Sequence, residues 1–91
     1  MTHNGKETLE QIDHLIIHTS GPEQEFWQGV RQVFVFESGM MMTWQLVLEQ
    51  GTVDGRILTR KDVQAIGQLM TKQRDLLAEI IVEVRDAYAT R

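Results

Sequence analysis

His14 and His18 stand four residues apart near the N-terminus of the 91-residue chain. On a helix that step places both imidazoles on one face, as a zinc pair requires. A third ligand would have to come from Asp13 or a glutamate, and no spacing rule supplies one. Two solvated histidines beside a polar terminus are the commoner arrangement, so no metal or cofactor is assigned. Glu23, Glu25, Glu49, Glu79 and Glu83 have the positions of solvated helix residues, with no paired carboxylate whose pKa has a reason to shift. No serine–histidine–aspartate layout can be read. Gly29, Gly39, Gly51, Gly55 and Gly67 follow no phosphate-loop pattern. The run Gly51-Thr52-Val53-Asp54-Gly55 lacks the alternating oxygen ligands of a calcium loop. The chain is not expected to be an enzyme.

A different constellation points to binding. Met40-Met41-Met42 lies beside Trp44, with Phe34 and Phe36 one to two turns earlier. Flexible thioethers suit a surface that adapts to a partner, and aromatic anchors concentrate binding energy. The expected protein interface comprises Phe34, Phe36, Glu37, Met40, Met41, Met42, Trp44, Val47 and Leu48. Within that set Phe34, Met41 and Trp44 suit a core or self-association. Phe36 and Met42 fall roughly 100° or more from the centre of the apolar stripe and suit a partner face. Glu37 interrupts one apolar stripe and Gln73 another. A lone polar residue in a seam can fix register, but edge positions that reach water are the simpler reading.

These residues need elements to hold them. Leu9, Ile12 and Ile16 have helical spacing, with Thr8 and Gln11 as a capping box, so a short helix over 7–18 is preferred to a strand. Ser20-Gly21-Pro22-Glu23 is a second start signal. After it Phe26, Val33, Met40 and Val47 recur every seven residues, as do Trp27, Phe34, Met41 and Leu48. The strand formers of Gln32–Phe36 do not break that phase. Gly51 suits a left-handed cap, and 51–55 reads as a turn. Thr59 is the next N-cap, with Asp62 three residues on and Leu58 and Val63 at staple spacing. Ile66, Leu69, Met70, Leu76, Leu77, Ile80, Val84, Ala87 and Tyr88 continue that second stripe. The expectation is an all-α chain. Residues 1–6 form a disordered tail, and 7–91 form one helical hairpin domain with antiparallel helices over about 21–50 and 60–89.

Composition narrows the partners. No cysteine is present, which fits a reducing compartment. The formal charge of −4 comes with no basic stripe for phosphates, so direct nucleic-acid binding is not expected. The apolar runs are too short for a membrane span, and 1–6 has no signal-peptide character. A cytoplasmic protein is the default. A two-helix hairpin buries only its seam, while both stripes here are wider than a seam and Val35, Phe36, Met42 and Leu46 lie outside. Wet side chains of this kind forgo ~1.5–3 kcal/mol each. A second copy, completing a helical bundle, or another protein is expected to cover them. The alternative is a self-assembling structural protein or a small helical chaperone.

With that layout the chain resembles the small anti-activators of bacterial quorum sensing. The likeness runs from Glu7 to the C-terminus and includes Glu25-Phe26-Trp27, Met40-Met41-Met42-Thr43-Trp44 and Gly51-Thr52-Val53-Asp54-Gly55. The resemblance implies a dimeric helical hairpin that binds the ligand-binding domain of a LuxR-type transcription activator. It further implies a negative regulator that blocks the activator's dimerisation and DNA binding. No contact residue carries over by motif.

Overall fold

The computed structural model describes residues 5–90. The chain is mostly helical, with α1 at Gly5–Ile17, α2 at Gly21–Gln50 and α3 at Arg60–Ala89. Between α2 and α3 lies a ribbon of two short strands, β1 (Thr52–Val53) and β2 (Arg56–Ile57), paired antiparallel. The bounds of α2 and α3 match those read from the sequence. The expected tail over 1–6 is corrected in part, because Gly5 and Lys6 already belong to α1. Residues 1–4 lie outside the described part.

Each boundary has a local cause. Gly51 adopts φ 74° and its N–H donates to the Val47 carbonyl at 2.9 Å, closing α2 as a left-handed cap does. Asp54 and Gly55, at φ 51° and 79°, make the paired left-handed turn that two-residue hairpins favour. What reads as a loop is therefore a small β-ribbon. At the start of α3 the Thr59 hydroxyl accepts from the Asp62 amide at 3.1 Å. The Thr59 amide donates to the Asp62 carboxylate at 3.0 Å, completing a capping box. Neither the box expected at Thr8 and Gln11 nor a side-chain cap at Ser20 forms. Ser20 occupies the N-cap of α2 in an extended conformation without a side-chain cap bond. Thr8 lies inside α1, fully buried, because that helix starts upstream of it.

The turn from α1 to α2 is tied by side chains. Gln24 donates to the carbonyls of Ile16 at 2.8 Å and Thr19 at 3.0 Å, and Thr19 donates to Leu15 at 2.7 Å. These bonds satisfy carbonyls that the end of α1 would otherwise leave orphaned. Arg31 reaches Asp13 at 2.8 Å, an exposed pair of small energetic weight. At the other end of α1, a methyl placed on Gly5 would lie 3.9 Å from the Phe34 ring. α1 thus covers α2 from about Gln24 to Phe34. It has 13 residues where α2 and α3 have 30 each, so it spans ~20 Å against ~45 Å.

The core follows from that mismatch. Ile12 and Leu15 of α1, Trp27 and Phe34 of α2, and Ile80 and Val84 of α3 form one buried cluster. Leu9, Ile16, Val30, Leu77, Ile81 and Ala87 pack around it. Among the described residues no third helix covers the pair beyond Phe34, and Ile66 is the buried apolar residue of that half. There Thr43 and Thr71 bond back to the carbonyls of Gly39 and Gly67, each at 3.0 Å. A Cβ at either glycine would meet nothing within 4 Å. Both long helices are thus weakened in the half that α1 does not cover.

Thr59→Ala is expected to lower stability by about 1 kcal/mol. The bond from the Thr59 amide, then the Thr59 hydroxyl, and last the nearby Arg56 hold the Asp62 carboxyl below its usual range. With a lowered folded pKa, the contribution of Asp62 is complete above its ordinary value of about 3.9 and is lost as pH falls through the lowered one. Urea melts of both proteins between pH 2 and 7 should show the deficit at neutral pH and its narrowing in acid.

Candidate protein interface

The apolar residues of α2 divide into an inward row and an outward row. Trp27 and Phe34 are buried and Met41 and Leu48 half-buried, whereas Phe26 and Val33 are exposed and Met40 and Val47 half-buried. Adjacent rows differ by roughly 100° around the helix, and α1 and α3 together close over only one of them. The single broad stripe expected from the sequence is in fact a core row and a surface row.

Of the nine expected interface residues, Phe34 is corrected. It is 3% exposed, sealed by α1, and belongs to the core. Phe36 and Met42 stand out into solvent at 63% and 65% exposure. They do not share a face, since a six-residue step turns the helix by about 120°. Glu37, Met40, Met41, Trp44, Val47 and Leu48 are half-buried. Trp44 shares a groove of about 300 Å³ with Val53, Arg56, Leu58, Asp62, Ala65, Ile66 and Leu69. At the other end of the long helices Glu25, Phe26, Gly29, Val30 and Val33 share a groove of about 480 Å³ with Leu76, Ile80 and Glu83.

Several exposed apolar residues fall outside the expected set: Phe26, Val33, Leu46, Val63, Leu69 and Leu76. The seven-residue row through Phe26 and Val33, which continues to the expected Met40 and Val47, is the available signal. Gln73 is half-buried, and its Oε1 is shut away from solvent with no partner among the described residues. Thr8 Oγ1 and Gln11 Oε1 share that condition.

The histidines have a structural part. Their rings stack with centroids 4.0 Å apart, and His14 meets the edge of Tyr88 at 4.9 Å, tying the last turns of α1 and α3. His18 Nδ1 lies 2.9 Å from the His14 carbonyl. Among the described residues no three His, Asp or Glu side chains converge as a metal site. No described helix is long and apolar enough to cross a membrane. No protein-family model, curated protein or solved structure matches the chain.

Phe34→Ala and Phe36→Ala separate the two kinds of site. Emptying the Phe34 position should cost about 3–5 kcal/mol, while Phe36→Ala should stay within about 0.5 kcal/mol. Chemical denaturation of the two variants checks this, and equal losses would contradict the division into rows.

Proposed function

We propose that this chain is a protein-binding negative regulator that acts without catalysis. It works in the cytoplasm as an antiparallel hairpin of α2 and α3 that pairs with a second copy into a helical bundle. Its target is the ligand-binding domain of a LuxR-type transcription activator. The observation that carries the reading is the apolar surface left open in a single copy, with Phe36 and Met42 each more than 60% exposed. The exposed Phe26, Val33, Leu69 and Leu76 add an apolar flank along the α2–α3 pair, and contiguous apolar area marks interaction sites. The opposed order of the groove linings, with residues 25–33 beside 76–83 and Trp44 beside 58–69, supports the hairpin.

The inhibition needs only competition for buried area. A LuxR-type activator holds two DNA half-sites with two copies, so a protein seated on its dimer surface removes the second copy. The inhibitor then needs no affinity for DNA, in keeping with a formal charge of −4.

Co-expression with a LuxR-type ligand-binding domain, followed by affinity capture and light scattering, tests the proposal. A soluble complex containing one copy of the activator domain is expected, with loss of operator binding. Phe36→Glu or Met42→Glu should weaken association with a partner chain at least tenfold, with the helical circular dichroism retained. Capture of no activator, with self-association alone, would favour a structural protein instead.

A further inference from the structure

The two grooves lie on the same side of the α2–α3 pair. Phe26 and Trp44 are separated by 18 residues, as are Ala65 and Glu83. Eighteen residues make about five full turns, so the grooves share one face with their ends ~27 Å apart. Met40 of α2 lies between them, flanked by Val33 and Leu76 of one groove and Leu69 of the other. The result is one apolar strip along both helices. Two 30-residue helices side by side, ~45 Å long and together ~18 Å wide with their side chains, offer about 800 Å². That is the area each partner contributes to a stable interface of ordinary size.

Charge along the strip is divided by end. Glu25 and Glu83 line the groove at one end, with Glu79 a turn from Glu83. Arg56 and Asp62 line the other groove and pair there at 3.6 Å, with Lys61 and Lys72 exposed on that half of α3. Lys72 and Glu79 are seven residues apart, so they share a row beside Leu69 and Leu76. Neither has an ion pair within the described chain.

We infer that this face takes a second copy of the chain with its ribbon at the opposite end, so that Lys72 of each copy meets Glu79 of the other. The inference rests on the protein-binding reading and goes beyond it by naming the face and the register. Copies laid with both ribbons at one end would stack Glu25, Glu79 and Glu83 against their counterparts, and like charges across an interface suppress that arrangement. Reversing one copy sets each acidic end beside the other's basic end. A two-fold axis midway between Lys72 and Glu79 passes near the middle of α3 and leaves neither end unmatched. Met42 and Leu46, about 120° or more around α2 from Val33 and Met40 on the side toward α1, stay open for a different protein.

Sedimentation equilibrium at low salt on the full chain tests this with Lys72→Glu, Glu79→Lys and the double exchange. Each single reversal replaces two attractive pairs with two repulsive ones and should weaken the dimer about tenfold. The double exchange should restore it to within about threefold, with helicity unchanged throughout. Singles without effect, or a double exchange weaker than either single, would overturn the face and register even if the protein dimerises. A wild-type chain that stays monomeric at 100 μM would overturn the occupant, while activator capture would still judge the regulatory reading separately.

Discussion

A third helix less than half as long as the two it packs against governs this molecule. Where α1 lies across α2 and α3, three apolar faces meet and a sealed cluster forms around Ile12, Leu15, Phe34 and Val84. Past Phe34 only two helices remain, and two cylinders in contact shield little more than the seam between them. The same sequence periodicity therefore yields a dry interior at one end and half-wet side chains at the other. Trp44 and Met41 are partly covered for this reason, and Met42 and Leu46 stand in solvent.

The uncovered half is also the weaker one. Gly39 and Gly67 remove side-chain contacts and add backbone freedom, and Thr43 and Thr71 bond back into the same stretches. The ends are held by different means. Asp62 and Thr59 cap the ribbon end of α3, while Gln24, Thr19 and the His14–Tyr88 contact tie α1 to its neighbours. The histidines, the residues with the widest chemical repertoire in this chain, are used as stacked rings against an aromatic edge. The buried oxygens of Thr8, Gln11 and Gln73 lack partners among the described residues. Such groups detract from an already small core.

Surface of this kind suits a protein whose work is association. A small domain gains stability by covering apolar helix flanks with another chain, and the same flanks can displace a partner from its own dimer. The proposed regulator would need no active site for this. Its specificity would come from which flank is offered and how the rim charges are arranged, so self-association and target binding need not compete for one face.

Local order was legible in the residues. Seven-residue spacing places α2, alternating three- and four-residue steps place α3, and Gly51, Thr59 and Asp62 mark their ends through chemistry confined to a few neighbours. The ribbon was hidden, because a turn with Asp54 and Gly55 at positive φ differs from an irregular loop only in backbone pairing. The capping pattern at Thr8 misled, since α1 begins upstream of it, whereas Ser20 marks the start of α2 without making its side-chain cap bond. For the candidate interface, residue types alone identified an aromatic and methionine-rich stretch. Only the tertiary structure divided it, assigning Phe34 to the core, Phe36 to solvent and the Phe26–Val33 row to the surface. Periodicity shows that a helix has an apolar side, but how much of that side is buried depends on the number and length of its neighbours, and α1's extent is a property of the packed chain.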